Sequence, residues 1–114
     1  MPYFKIETNR EVDDVARETF LSGASRFVSK LLGKPEESVM VSLLPTSSMR
    51  FQANDNNCAY VEFKSIGLSR DQCPEYARAI CEHLESALGI APQRIYIEFG
   101  DIDPKMFGWD KSTF

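Results

Sequence analysis

The sequence predicts an α+β fold built from two βαβ units that share one four-stranded mixed sheet, with two helices on one face. Two observations lead there. Short β-rich runs alternate with longer stretches of helical periodicity. The two halves of the chain match, because Leu32-Gly33 followed by Val39-Met40-Val41 is repeated, at nearly the same spacing, by Leu88-Gly89 followed by Ile95-Tyr96-Ile97. Each half therefore reads strand, helix, strand, and a crossover of that length favours parallel pairing with a right-handed connection.

The first strand begins at the N-terminus, where Tyr3 and Lys5 alternate with Phe4 and Ile6. Thr8 and Asn9 offer a helix cap, and Glu11, Asp13 and Asp14 suit the positive end of a helix. Ala16, Phe20, Ala24, Phe27, Val28 and Leu31 then form one apolar stripe, which Gly33 ends. Val39–Leu44 is β-rich and mostly apolar, as a strand covered by helices would be. Met49, Arg50 and Phe51 fit a short strand, and Asn54–Asn57 a turn. Ala59–Ser65 is the third main strand, stopped by Gly67. Ser69 with Gln72 resembles a capping box, and Pro74 suits the first turn of a second helix. Its stripe is Ala77, Ile80, Cys81, Leu84 and Leu88, with Gly89 at its end, and Arg94–Phe99 is the fourth strand. Together these are duplicated βαβ units of the ferredoxin-like kind. Two helices cover one sheet face only. The other is expected to carry apolar side chains, from Phe4 and Ile6 or their neighbours, Val41 and Ile97 according to register, and a second copy of the chain is the most economical cover.

At 114 residues the chain is expected to be one domain, 1–114, with room for a modest core. A net charge of −4 gives no general attraction to nucleic acid or anionic membranes. No apolar run suits membrane insertion, and the N-terminus lacks the basic and apolar regions of a signal peptide, so the default compartment is the cytosol. Cys58, Cys73 and Cys81 are odd in number and lack metal-ligand spacing, and His83 is the one histidine. These residues argue against a disulfide scaffold and a metal site. His83 reads as a helix-surface residue.

The chemistry-bearing feature is the start of the chain. Proline after an initiator methionine is a setting in which the methionine is commonly removed, and Pro2 would then carry a free secondary amine at the head of a buried strand. A free α-amino group has a reference pKa of about 7.7–8.0. Apolar surroundings lower it by disfavouring the charged form. A base poised near neutral pH is what proton abstraction beside a carbonyl requires.

Met1-Pro2, Gly33-Lys34-Pro35, Ser65-Ile66-Gly67, Arg94-Ile95-Tyr96-Ile97 and the ending Gly108-Trp109-Asp110-Lys111-Ser112-Thr113-Phe114 jointly resemble the macrophage migration inhibitory factor family, over nearly the whole chain and in the right order. The resemblance implies a homotrimer of the tautomerase type, three sheets around a central channel. It implies cofactor-free tautomerisation of phenylpyruvate-like aromatic keto acids and isomerisation of dopachrome-like compounds, with Pro2 as catalytic base. It also implies that Lys34 meets the substrate carboxylate and that the Ile66 backbone faces the substrate with Ser65 beside it. Tyr96 matches a position supplied by the neighbouring subunit, Glu98 would lie beside the acid-binding site, and Phe107, Trp109 and Phe114 would form an aromatic rim.

Several positions depart from the family pattern. Glu98 stands where asparagine is usual in the vertebrate proteins, Ser38 replaces a pocket tyrosine, and Gln52-Ala53 stands where Gly-Gly is common. A carboxylate at 98 would weaken anionic substrates or raise the pKa of Pro2. Cys58 matches the first cysteine of the family's Cys-x-x-Cys motif, but Val61 occupies the second position, and a dithiol needs both sulfurs. Arg50 and Arg94 are the nearby arginines that a decarboxylase- or dehalogenase-type site would call on. The alternative to an enzyme is a cytokine-like trimer that binds a cell-surface receptor with vestigial tautomerase activity. Family members in animals and some parasites combine the two and are secreted without a signal peptide.

Overall fold

A computed structural model describes residues 1–114. Six strands and two helices follow in the order β1 (Tyr3–Thr8), α1 (Asp14–Leu32), β2 (Met40–Leu44), β3 (Ala59–Ile66), α2 (Cys73–Leu88), β4 (Ile95–Ile102), β5 (Gly108–Trp109) and β6 (Ser112–Thr113). The main sheet has the order β2-β1-β3-β4. Each βαβ half is a parallel pair, β1 with β2 and β3 with β4, and the halves meet antiparallel through β1 and β3. The sheet is therefore mixed, as expected.

Register decides which side chains face the helices. Phe4 pairs with Val41 and Phe63, and Ile6 with Leu43 and Val61. Phe4, Ile6, Val61 and Phe63 are fully buried, and Val41 and Ile97 pack against the same cluster under the helices. These residues thus belong to the core and not to the uncovered face, which corrects the expectation for that face. The uncovered face presents Tyr3, Lys5, Met40, Tyr60, Glu62, Lys64, Tyr96 and Glu98, the side chains one step out of phase along each strand. Glu62 sits between Lys5 (3.6 Å) and Lys64 (3.1 Å), and the Tyr60 hydroxyl donates to Glu98 Oε1 at 2.7 Å. Its character is aromatic and charged rather than aliphatic.

α1 buries Phe20, Ala24 and Val28, with Ala16, Phe27 and Leu31 packed beside them, as its stripe predicts. It begins later than Thr8 and Asn9 suggest. Asp13 is the N-cap, its carboxylate accepting from the Ala16 amide at 2.8 Å. Thr8 and Asn9 serve the sheet end instead: the Thr8 hydroxyl donates to the Cys58 carbonyl (2.7 Å), and Asn9 Oδ1 accepts from the Cys58 amide (2.9 Å). The Ser69–Gln72 capping box does not form; a 3-10 turn at Arg70–Gln72 leads into α2. α2 buries Tyr76, Ile80, Leu84 and Leu88. Tyr76 was not in the expected stripe; its ring lies 6.1 Å from that of Phe63.

His83 is also not a surface residue. Its ring stacks on Phe27 of α1 at 4.2 Å and 10°, and Phe20 lies 6.0 Å away. Its Nε2 is buried without a partner, and burial lowers its pKa. Helical spacing could not show this, because the ring is amphipathic and fits either face.

Met49–Phe51 forms no strand. Phe51 and Asn54 make an isolated bridge around Gln52 and Ala53, both at positive φ (52° and 61°). Arg94 fastens this loop. It is 7% exposed and donates to the carbonyls of Phe51, Asn56 and Asn57 and to Gln52 Oε1. Arg50 donates to the Ala53 carbonyl. Both arginines are thus committed to the loop backbone.

Candidate active site

The N-terminus, the end of α1 and the end of β3 converge at one corner of the sheet. Pro2 precedes β1, is fully buried, and accepts from the Met40 amide at 3.0 Å through its carbonyl. With Met1 attached, the Pro2 nitrogen is an amide. α1 ends in the left-handed Gly33 (φ 64°), the conformation that turns the chain out of a helix without a Cβ penalty. Gly33 and Lys34 both donate to the Ser29 carbonyl, and the Ser29 hydroxyl donates back to the Lys34 carbonyl at 2.6 Å. Ser29 was not marked out by the sequence, because a serine in the last turn of a helix carries no signal until its partner is known.

Lys34 Nζ donates to the Ile66 carbonyl at 2.7 Å. The same ammonium lies beside the chain's first amino group, that of Met1, whose pKa is held below its ordinary value. Burial is the main cause; the positive charge of Lys34, and a hydrogen bond that only the neutral amine can accept from it, act in the same direction. Ser65 is 1% exposed and next to Ile66. One chain therefore brings Pro2, Lys34, Ser65 and Ile66 together.

The remaining expected residues lie elsewhere in the chain. Tyr96 pairs with Tyr60, which pairs with Glu7 near the far end of β1 from Pro2. Its ring is 61% exposed and sits 4.6 Å from that of Phe51. Glu98 is on the same exposed face, held by Tyr60. Phe107, Trp109 and Phe114 belong to the tail, where β5 and β6 form a small hairpin turned at Asp110 and Lys111, both at positive φ. Trp109 stacks on Phe114 (6.1 Å, 7°), and Phe107 lies 5.9 Å from Phe114. Ser38 ends a 3-10 turn and donates its hydroxyl to the Pro35 carbonyl. Two open surface hollows, one along the exposed side of α1 and one on the tail hairpin, are lined without Pro2 or Lys34.

The thiols take no part. Cys58, Cys73 and Cys81 are unpaired, and burial raises the pKa of Cys81. No helix is long and apolar enough to cross a membrane.

A duplicated βαβ sheet thus places its first residue near a lysine at a helix end, and the family match puts this arrangement in the tautomerase superfamily, an isomerase-type class. The family model described as macrophage migration inhibitory factor (MIF) matches residues 1–114. The chain is 33% identical to the macrophage migration inhibitory factor of Xenopus tropicalis, covering 100% of this chain and 99% of that protein. It is 36% identical, with the same coverage, to the homolog of Brugia malayi. The crystal structure of the homologue from Prochlorococcus marinus superimposes with a TM-score of 0.91 at 38% identity, over 98% of each chain. The chain belongs to the macrophage migration inhibitory factor family.

Proposed function

We propose that this chain is a cofactor-free keto–enol tautomerase of phenylpyruvate-like acids, with dopachrome-like compounds as further substrates. Once Met1 is removed, Pro2 supplies the base. Its neutral amine takes a proton from the carbon beside the ketone, and the electron pair forms the carbon–carbon double bond of the enol. The protonated Pro2 amine then returns that proton to the carbonyl oxygen, which completes the enol and regenerates the neutral base, and the reverse sequence restores the ketone. Lys34 pairs with the substrate carboxylate through the hydrogens it does not give to Ile66. The observation that carries the reading is the convergence of the buried Pro2, Lys34 and the Ile66 carbonyl at one corner, where burial and Lys34 already lower the pKa of the amine that Met1 carries. A neutral amine and a neighbouring ammonium are what a base for an anionic substrate needs.

The site is proposed to be completed by a homotrimer in which a neighbour supplies Tyr96 and Glu98, with the tail aromatics as rim. The distance along the sheet between Tyr96 and Pro2 within one chain supports this, because a single chain cannot use both at one substrate. The decisive experiment is intact mass paired with a phenylpyruvate assay on the same sample. Mass short by one methionine, with turnover lost at least about a hundredfold in Pro2→Gly, is the expected result. Processed protein without turnover, or full activity in Pro2→Gly, overturns it.

A further inference from the structure

The turn that follows β3 is held by a side chain that the chemistry above does not use. Asp101 Oδ1 accepts from the Gly67 amide at 3.1 Å and from the Leu68 amide at 3.2 Å. Neither amide donates to a backbone carbonyl. Gly67 has φ +73°, which aims two successive N–H groups at one acceptor, the concave arrangement that suits an anion. Leu68 is buried, so its amide would be left without a partner if the carboxylate were removed. Asp101 reaches this turn because it stands in register with Ser65, while Ile102 stands beside Ile66.

We infer that Asp101 is a positioning residue for the corner site, fixing the direction of the Ile66 carbonyl and through it the place of the Lys34 ammonium. The lysine is thereby located from two ends. Gly33 and Ser29 set its backbone, and Ile66 sets its Nζ. Asp101 has no role at the reacting atoms. Its removal frees the 66–68 turn, and Lys34 then spends less time next to the first amine and the carboxylate-binding position. The consequence for substrate rests on the tautomerase reading; the consequence for the amine does not.

The test compares Asp101→Ala with Asp101→Asn, whose amide oxygen keeps the acceptor without the charge. Steady-state kinetics on phenylpyruvate give KM and kcat, and an NMR titration of the isotopically labelled first residue gives the amine midpoint. Asp101→Ala is expected to raise KM about five- to tenfold, with kcat on its high-pH plateau within about twofold, the loss of one well-placed charged contact. The amine midpoint moves to higher pH, because Lys34 no longer opposes its protonation. Asp101→Asn returns both to within about twofold of the parent. A folded Asp101→Ala with parental KM and midpoint overturns the inference, as does an Asn variant impaired as much as the alanine one. If Asp101→Ala does not fold, Asp101→Ser, too short to span both amides, is read the same way. If the processed parent shows no turnover, the tautomerase reading fails, and the midpoint alone decides the role of Asp101. A shift supports it and an unmoved midpoint overturns it.

Discussion

Lys34 is the residue whose neighbours say most about chemistry. It donates to the Ile66 carbonyl and its charge lowers the pKa of the chain's first amine, so its loss has two separable effects. Lys34→Ala is expected to raise KM for a keto acid about tenfold or more, the range for a charge-assisted contact. The pH–rate profile should also move. In the proposed mechanism the base works as the neutral amine, so rate rises with pH through its pKa. Without the ammonium that pKa climbs, and the rising limb shifts to higher pH. Kinetics across pH 5–9 read both effects, and an unmoved limb would show that Lys34 does not act on the base. A second residue effect is conformational. Gln52 and Ala53 occupy left-handed backbone, which costs a non-glycine residue roughly 1–2 kcal/mol. Gln52 is tied to the Gln93 carbonyl and to Arg94, whereas Ala53 contributes only its backbone to the loop. Ala53→Gly should therefore stabilise the protein by about 0.5–1 kcal/mol after the extra freedom of the unfolded chain is counted. Urea denaturation checks this, and a destabilised variant contradicts it.

Among the elements, the seam between α1 and α2 carries a pH dependence. His83 stacks on Phe27 with Nε2 buried and unpartnered, and burial disfavours its charged form. The folded protein therefore binds the proton less readily than the unfolded chain. Its stability contribution is present above the unfolded histidine pKa and is lost as pH falls through the folded value. Urea midpoints measured at pH 7.5 and 5 should show a larger loss in the parent than in His83→Phe, which keeps the stack without the titration. Equal losses would place the imidazole in water. The elements were otherwise largely legible in the sequence. Both helices end at the left-handed glycines their stripes anticipate, Gly33 and Gly89. Where local signals competed, contacts distant in sequence decided. Thr8 and Asn9 cap no helix because their side chains fasten Cys58, and Ser69 caps none because a 3-10 turn intervenes.

For the whole molecule, the main question is how many chains make one site. Pro2 and Lys34 stand at one corner, while Tyr96 stands toward the other end of the exposed sheet face and Glu98 midway, level with Lys5. That face has ion pairs and tyrosines in place of the aliphatic patch the sequence suggested, so self-association would use polar and aromatic contacts, which suit a channel-lining surface. Sedimentation is expected to give three times the chain mass. Mixing inactive Pro2→Gly chains with Tyr96→Ala chains and letting subunits exchange should restore part of the turnover, since some mixed sites hold both parental residues. A fully active single chain contradicts the shared site.

The sequence by itself determined the strand–helix–strand duplication, the helix ends and the core stripes, and it singled out Pro2, Lys34, Ser65 and Ile66 as candidates, because periodicity, glycine conformation and family motifs are local signals. Tertiary structure alone decided the register that turned Phe4, Ile6, Val41 and Ile97 toward the helices. It likewise moved His83 into a helix seam, committed Arg94 to a loop, and set Asp101 against the turn that orients Lys34. Those outcomes depend on partners far away in the chain, and a side chain able to bond in several ways takes the role that packing leaves open to it.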